Sequence, residues 1–278
     1  MRAAVIGLGA IGGAAALGLA ARGWDRDERA RDLARSRGID ARNTLEEALD
    51  GAEVVLLAVP TRETGALLAR CASLRPEALF SDCASLKVPI VRRAADLPPA
   101  VRFVGGHPMA GPGSHGIADA DPAIFRGRPW ILVPTPRSDE ASIGALSDLV
   151  RGLGALPVLL DADRHDAAMT RVSHLPHVVA AALAITAARP DSAAAAASGS
   201  LAGPGLLDTT RLAEMPPGLL KELAMADPAA LASAMEEVAG QLRSAAEALR
   251  RGDEAALDAF FERAGEARAR ITARAEES

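Results

Sequence analysis

The five histidines of the chain lie between positions 107 and 177 and form two groups. His107 stands in the stretch GGHPMAG, directly after an apolar run that predicts a strand, and open α/β sheets bind ligands at the carboxyl ends of their strands. His165, His174 and His177 lie in the stretch HDAAMTRVSHLPH, which predicts a helix; His174 and His177 share one helix face. Because imidazole titrates near neutral pH, both groups are candidates for acid–base chemistry. A zinc site is an alternative for the second group, but no Cys or carboxylate spacing supports it, and we predict no metal.

A glycine-rich turn, GLGAIG, follows the predicted strand Ala3–Ile6 and opens a predicted helix. In this context a GxGxxG motif binds a dinucleotide: the glycines permit a tight turn, a close approach to the pyrophosphate and close helix–strand packing. The free amides at the helix N-terminus then face the phosphates. We predict NAD or NADP as cofactor, and the candidate cofactor-binding residues are Gly7, Leu8, Gly9, Ala10, Ile11, Gly12, Asp25 and Pro60.

The second strand of this unit is difficult to find in the sequence. The predicted helix runs to about Arg22, and Asp25 follows almost at once, so we predict that the second strand is shortened or missing. An acidic residue at the end of that strand normally binds the adenosine ribose. The ribose-binding role of Asp25 therefore stays open, and so does the choice of cofactor, because Arg26 and Arg29 would equally meet a 2′-phosphate.

The elements that must position these residues change in type near Asp161. Before it, short apolar runs alternate with helical patterns, which predicts a Rossmann-like, doubly wound parallel sheet. After it, only helical patterns follow, with a low-complexity loop over residues 191–205. We predict a dinucleotide-binding domain over residues 1–161 and an all-helical substrate-binding and dimerisation domain over residues 162–278.

Charge and composition exclude several classes of protein. A net charge of −5 argues against a general nucleic-acid-binding protein, although it permits a local basic pocket for an anionic small molecule. Cys71 and Cys83 lie in apolar contexts without metal-type spacing, which is typical of reduced thiols in the cytoplasm. We expect no signal peptide before the first predicted strand and no membrane span. With no tyrosine in the chain, no phenol can serve as acid or base.

Five motifs, in this order, resemble those of the prephenate/arogenate dehydrogenases of tyrosine biosynthesis. They are GLGAIGG, SDCASLK, GGHPMAGPGSHG, SHLPH and GPGLLDTTR, and the resemblance covers nearly the whole chain. It implies an oxidative decarboxylation, in which a cyclohexadienol ring gives a hydride to NAD(P), loses carbon dioxide and becomes aromatic. It also implies a homodimer formed by the helical domain, with each active site at the domain junction.

The resemblance assigns roles to particular residues. His107 would accept the proton of the ring hydroxyl, and Ser85 would orient His107 or that hydroxyl; both are candidate catalytic residues. Arg211 would bind the side-chain carboxylate, for which a planar guanidinium is suited. His177 would face the substrate, and His174 would have a supporting or structural role beside it. Lys87 would help to anchor an anion. Ser85 has an alternative as an N-cap of the helix near Lys87, and His165 with Asp166 forms a cap or a supporting pair.

Two other functions remain as alternatives. A 3-hydroxyacid dehydrogenase has a similar sheet and helical tail, but usually carries a catalytic lysine on the linking helix, where this chain has none. A degenerate homologue that only binds nucleotide is suggested by the shortened or missing strand. The sequence does not decide between prephenate and arogenate.

Overall fold

The structure is a computed structural model that describes residues 1–110, 116–189 and 201–276. The chain divides into two compact units, Met1–Asp166 and Ala167–Ser278. The boundary predicted from the sequence lies between residues 161 and 162, slightly earlier in the chain.

A parallel sheet forms the centre of the first unit. Its strands are β1 (Ala3–Ile6), β2 (Arg22–Trp24), β3 (Asp40–Ala41), β4 (Val54–Leu57), β5 (Leu79–Asp82) and β6 (Arg102–Phe103). They are arranged in the order β3-β2-β1-β4-β5-β6, and the helices between them are α1 (Ala10–Leu19), α2 (Glu28–Ser36), α3 (Leu45–Leu49), α4 (Thr61–Leu74) and α5 (Val88–Ala95).

Both faces of this sheet are buried under apolar side chains. Along β1 and β4, Val5 and Leu56 pack into one apolar layer, whereas Ile6, Val55 and Leu57 pack into the other. Continuous apolar strands of this kind are typical of parallel sheets that are covered by helices on both faces. The prediction of a Rossmann-like sheet followed by a helical domain is confirmed.

The second strand is present but short. The prediction that α1 continues to Arg22 is wrong: the helix ends at Leu19, because Ala20 adopts a left-handed conformation with φ of 48°. The chain is then free to pair, and Arg22–Trp24 lies parallel to β1 and to β3. Gly23 lets this strand pack closely, since a Cβ atom there would lie 2.8 Å from the side chain of Leu8.

A separate three-stranded sheet follows, made of β7 (Gly105–Pro108), β8 (Pro129–Val133) and β9 (Leu156–Leu159) in that order. The sequence predicted that the apolar runs of β8 and β9 continue the main parallel sheet, and that His107 follows a strand. Both predictions are wrong: His107 lies within β7, which runs antiparallel to β8, whereas β8 is parallel to β9. Gly106 explains how the chain passes from one sheet to the other. A Cβ atom on Gly106 would lie 2.3 Å from the carbonyl oxygen of Asp82, so only glycine fits this approach to the end of β5. Helix α6 (Glu140–Gly152) lies between β8 and β9 in the chain.

All the regular elements that the structure describes in the second unit are helices. Its helices are α8 (Leu175–Ala187), α9 (Pro204–Thr210), α10 (Pro217–Ala224), α11 (Pro228–Arg251) and α12 (Glu254–Glu276), and helix α7 (Ala162–Met169) spans the boundary between the units. Most of the predicted loop over residues 191–205 lies outside the described residues.

A π-helical turn, Thr170–His174, separates α7 from α8, where the sequence predicted one continuous helix. Pro176 accounts for the difference, because proline has no amide hydrogen and its ring collides with the carbonyl of the preceding turn. A wider turn before it relieves both effects. The π-helical turn ends at His174, so it sets the direction of two of the candidate histidines.

Candidate active site

A cleft of about 810 Å³ opens at the carboxyl ends of β1 and β2. Its lining includes the predicted cofactor residues Gly7, Gly9, Asp25 and Pro60, together with Trp24. Leu8, Ala10, Ile11 and Gly12 form the turn and the start of α1 behind it. The edge of the sheet therefore brings the predicted cofactor-binding residues together.

The glycines of the turn have the geometry that a bound pyrophosphate requires. Gly7 has φ of +99°, and a Cβ atom on it would lie 2.4 Å from the carbonyl oxygen of Ala58. On Gly12, a Cβ atom would lie 1.8 Å from the carbonyl oxygen of Gly7. Gly9 caps α1 without any side chain, so the first amides of the helix are left for a ligand. The residues present fit a dinucleotide.

Asp25 lies at the end of β2, the position at which an acidic residue binds ribose hydroxyls. Its Oδ2 accepts a hydrogen bond from the amide of Leu8 at 2.7 Å, and its Oδ1 accepts one from the amide of Asp27 at 2.9 Å. The bond from Leu8 ties the carboxylate to the glycine turn, and the bond from Asp27 ties it to the start of α2. Arg26 also lines the cleft and forms an exposed ion pair of 2.9 Å with Glu63.

His107 lies in β7 and is 9% exposed. Its Nδ1 lies 2.8 Å from Nε2 of His165, which is fully buried. The other nitrogen of His165, Nδ1, lies 2.6 Å from Oδ1 of Asp166. The same carboxylate accepts hydrogen bonds from the amides of Lys87 and Val88, at 2.8 and 2.9 Å. A chain of hydrogen bonds thus runs from the candidate catalytic histidine to the first amides of α5.

Burial raises the pKa of Asp166, but the hydrogen bonds from His165 and from the amides of Lys87 and Val88 lower it, and the net pKa lies below the usual value for aspartate. Asp166 is therefore ionised at neutral pH. It also supplies the cap that the sequence assigned to Ser85: α5 begins at Val88 without a capping side chain of its own, and Asp166 accepts from its first amides instead.

The two predicted residues between β5 and α5 differ in their surroundings. Ser85 is half-buried, and its hydroxyl forms no hydrogen bond with any residue that the structure describes. Lys87, for which the resemblance implies a role in anchoring an anion, is fully buried. Its ammonium group donates to the carboxylate of Asp82 and to the carbonyl oxygen of Gly106. The ammonium group of Lys87 thus links the end of β5 to β7.

Asp82 is the residue that sequence reasoning missed. Besides the ion pair with Lys87, it accepts hydrogen bonds of 3.0 Å from the amides of Ala84 and Gly106. It therefore ties the end of β5 to β7 one residue before His107. The signal available in the sequence was the motif SDCASLK, in which an acidic residue precedes the lysine by five positions.

In the second unit, His174 and His177 line a small cavity of about 240 Å³ next to α10. Nδ1 of His177 lies 2.7 Å from the carbonyl oxygen of Ser173, so this nitrogen donates, and Nε2 is left as an acceptor. That Nε2 is buried and has no hydrogen-bond partner among the described residues.

Arg211 is exposed and begins the 3₁₀ turn Arg211–Glu214, which packs against α8. Within the described ranges, no group of three His, Cys, Asp or Glu side chains is arranged as metal ligands.

The comparisons with known proteins agree across both units. Residues 17–159 match the family model described as prephenate dehydrogenase, nucleotide-binding domain, and residues 161–263 match the one described as prephenate dehydrogenase, dimerization domain. A prephenate dehydrogenase of Lactococcus lactis is 33% identical in an alignment of 270 residues, which covers 93% of this chain and 74% of that protein. The chain spans 62% and 64% of the length of two other curated relatives, a prephenate dehydrogenase of Bacillus subtilis and a cyclohexadienyl dehydrogenase of Zymomonas mobilis.

Solved structures show the same architecture. Synechocystis arogenate dehydrogenase is 28% identical, with a TM-score of 0.81 over 98% of this chain and 100% of that one. Aquifex aeolicus prephenate dehydrogenase, solved with hydroxyphenyl propionate and NAD⁺, shares the fold with a TM-score of 0.86 over 98% of each chain at 24% identity. With family models that together match most of its length, this chain belongs to the prephenate dehydrogenase family.

Proposed function

We propose that this protein is an NAD(P)-dependent dehydrogenase that oxidatively decarboxylates a cyclohexadienol acid in tyrosine biosynthesis. The substrate is prephenate, which gives 4-hydroxyphenylpyruvate, or arogenate, which gives tyrosine. The observation that carries the proposal is the imidazole of His107, held by His165 in the unit that also contains the glycine-lined cleft. Relatives named prephenate dehydrogenase and cyclohexadienyl dehydrogenase, at 33% and 32% identity, support it.

The reaction needs a proton acceptor beside the ring hydroxyl. The carbinol carbon gives up a hydride, the hydroxyl oxygen gains carbonyl character, and its proton leaves. The carbon–carboxylate bond then breaks, its electron pair enters the ring, carbon dioxide departs, and the proton returns to the oxygen of the new phenol. Bound NAD(P) would supply the hydride acceptor. The base takes up the hydroxyl proton and returns it to the product, so the base is regenerated.

His107 is the residue we assign to that proton. A neutral imidazole is a suitable base at pH 7, and a positioned general base contributes about 10²–10⁴-fold in rate. Ser85 would contact the reacting hydroxyl, because its own hydroxyl has no hydrogen-bond partner among the described residues. No tyrosine exists in the chain to perform either task.

The substrate carries two carboxylates, and the second unit offers groups for the side chain. Arg211 would pair with the side-chain carboxylate, since its exposed guanidinium can form two parallel hydrogen bonds. His177 would face the substrate through its buried Nε2. His174, which lines the same cavity, would support His177.

The cofactor would bind along the glycine turn. Gly7, Gly9 and Gly12 would hold the pyrophosphate, and Asp25 would accept from the ribose hydroxyls. β2 is short, but it pairs with β1 and with β3, so the cofactor cleft keeps its second strand, which argues against a degenerate homologue that only binds nucleotide. The buried Lys87 likewise offers no amine for 3-hydroxyacid chemistry.

The second unit would form a homodimer in the cytoplasm. Its family model is described as a dimerization domain. Large apolar side chains on its surface would be covered by a second copy: Val172, Ile185, Leu207, Leu242, Leu249 and Phe261. The stretch Ala162–Ala187 is long and apolar enough to cross a bilayer by length and composition, but core helices of water-soluble proteins have the same character, and we assign it to the dimer.

The test is an activity assay of the purified protein with NAD or NADP as cofactor. Prephenate, arogenate or a 3-hydroxyacid is the substrate, and the absorbance of the reduced cofactor at 340 nm is measured. Reduction of cofactor with at least one cyclohexadienol, and none with the 3-hydroxyacid, is expected. His107→Asn should lower kcat at least about 10²-fold with a modest change in KM. No reduction with either cyclohexadienol at saturating cofactor would contradict the proposal, and near-normal turnover of the variant would remove His107 from it.

A further inference from the structure

We propose that His165 and Asp166 are positioning residues that hold His107 as its Nδ1–H tautomer, so that Nε2 is the atom that takes the substrate proton. The catalytic part of this inference rests on the proposed function. The tautomer itself is a property of the unliganded protein and can be measured without any substrate.

The geometry of the three side chains carries the inference. The rings of His107 and His165 meet edge to face, with centroids 5.0 Å apart and an interplanar angle of 68°, which points Nε2 of His165 at Nδ1 of His107. His165 is fully buried, and its second nitrogen is bound to Asp166. Both nitrogens of His165 are therefore engaged, and water does not compete for them.

The direction of the hydrogen bonds is set at the Asp166 end. The backbone amides of Lys87 and Val88 can only donate, so both oxygens of Asp166 act as acceptors. An ionised carboxylate has no proton to give, and Nδ1 of His165 must therefore be the donor in the 2.6 Å bond. A neutral imidazole with its proton on Nδ1 has an acceptor at Nε2.

The bond to His165 sets the protonated nitrogen of His107 in the same way. Since Nε2 of His165 accepts, Nδ1 of His107 must carry the proton that is donated across 2.8 Å. Neutral His107 is then an acceptor at Nε2. If His165 were instead protonated on both nitrogens, it would donate to Nδ1 of His107 and place a hydrogen on Nε2, which could not accept the substrate proton.

The network also accommodates the charge that the reaction creates. When Nε2 of His107 takes the hydroxyl proton, the ring becomes an imidazolium, and its Nδ1–H still donates to His165. The carboxylate of Asp166 lies at the far end of the same chain and carries the compensating negative charge. When the phenol forms, the proton returns from Nε2 to the oxygen, and the three side chains regain their first state.

The test compares two replacements of similar size. His165→Gln retains an amide oxygen that can accept from Nδ1–H of His107, whereas His165→Leu fills the buried site without an acceptor. We expect His165→Leu to lower kcat at least about tenfold, and His165→Gln to recover much of that loss. The KM of the cyclohexadienol and the Kd of the cofactor should change by less than about twofold in both. A role in packing alone predicts the opposite order, because leucine suits a buried site better than an amide does.

The second readout is the tautomer in protein labelled with ¹⁵N-histidine. The chain has five histidines, and His107→Asn identifies the signals of His107 by their disappearance. Wild type and His165→Gln should show the Nδ1–H form, and His165→Leu should lose it. The Nε2–H form in the wild type would overturn the proposal even if His165→Leu failed to fold. Absence of activity together with an Nδ1–H signal would instead contradict only the proposed function.

Discussion

The carboxylate of Asp25 accepts a hydrogen bond of 2.7 Å from the amide of Leu8, so the end of β2 is bound directly to the glycine turn that follows β1. Asp25→Ala removes this bond and the acceptor proposed for the ribose. Because hydrogen bonds to charged groups contribute about 1.5–3 kcal/mol, the Kd for NAD should rise roughly 10- to 100-fold. Titration calorimetry measures it, with Asp32→Ala on the exposed face of α2 as a control. If Asp25→Ala and Asp32→Ala bound NAD with the same Kd, Asp25 would not belong to the cofactor site.

Arg211→Ala tests the proposed side-chain carboxylate site. Loss of a charge-paired contact should raise KM for the cyclohexadienol by an amount equivalent to about 2–4 kcal/mol, with kcat less affected. Arg171→Ala is the matched control, since that arginine forms an exposed ion pair of 3.0 Å with Glu237 in the same unit. Steady-state kinetics at varied substrate concentrations measures KM and kcat for both variants. If KM stays at its wild-type value, the carboxylate is bound by another residue.

Gly106→Ala should destabilise the fold. The new methyl group would lie 2.3 Å from the carbonyl oxygen of Asp82, and overpacking of this kind costs about 1–3 kcal/mol. Gly144→Ala is the control: a Cβ atom there meets nothing within 4 Å, and alanine in place of glycine should stabilise α6 by up to about 1 kcal/mol. Urea denaturation measures the free energy of unfolding of both variants. If this free energy changed in the same direction in both, Gly106 would not be tightly packed against the carbonyl oxygen of Asp82.

Lys87→Met leaves the buried carboxylate of Asp82 without its cation. Breaking a buried pair costs about 3–5 kcal/mol, so the midpoint of urea denaturation should fall strongly. Lys221→Met, at the other lysine of the chain, replaces an exposed side chain and should change the free energy of unfolding by less than about 0.5 kcal/mol. A small loss of stability in Lys87→Met together with a large rise in KM would contradict this structural role and support the predicted role of Lys87 in binding the substrate anion.

Asp166 should make stability depend on pH in the acid range. Its pKa is lower in the folded protein than in the unfolded chain, where it is about 3.9. The folded state therefore gains stability from the ionised group above that value, and the gain is lost as the pH falls through the lower folded pKa. Asp166→Asn should accordingly lose more stability relative to wild type at pH 6 than at pH 3.5. Urea denaturation at the two pH values measures this difference, and a constant difference would contradict the assigned pKa direction.

Local patterns in the sequence predicted most of the first unit. The turn from Gly7 to Gly12 and the apolar run in β4 have short-range signatures, because their residues are adjacent in the chain. The strand Arg22–Trp24 has no apolar run, and it exists because β1 and β3 pair with it on either side. The left-handed conformation of Ala20, which ends α1, leaves no trace in residue type either.

In the candidate site too, contacts between residues that are distant in the chain could not be predicted from local patterns. His107 could be selected from its motif, whereas its bond to His165 joins residues 58 positions apart and depends on how β7 meets α7. The burial of Lys87 was not predicted, because a lysine between a strand and a helix is usually exposed. Its partners, Asp82 and the carbonyl oxygen of Gly106, come from the ends of two strands that lie in different sheets.

The position of Trp24 has an optical consequence. The chain contains two tryptophans and no tyrosine, so its ultraviolet emission comes from two indoles. Trp24 lines the cleft beside Gly7 and Asp25, whereas Trp130 is fully buried in β8. Reduced nicotinamide absorbs at the wavelengths at which indole emits. The unlabelled protein therefore carries a fluorescent donor at the wall of its cofactor cleft, and quenching of Trp24 would report the arrival of each reduced dinucleotide.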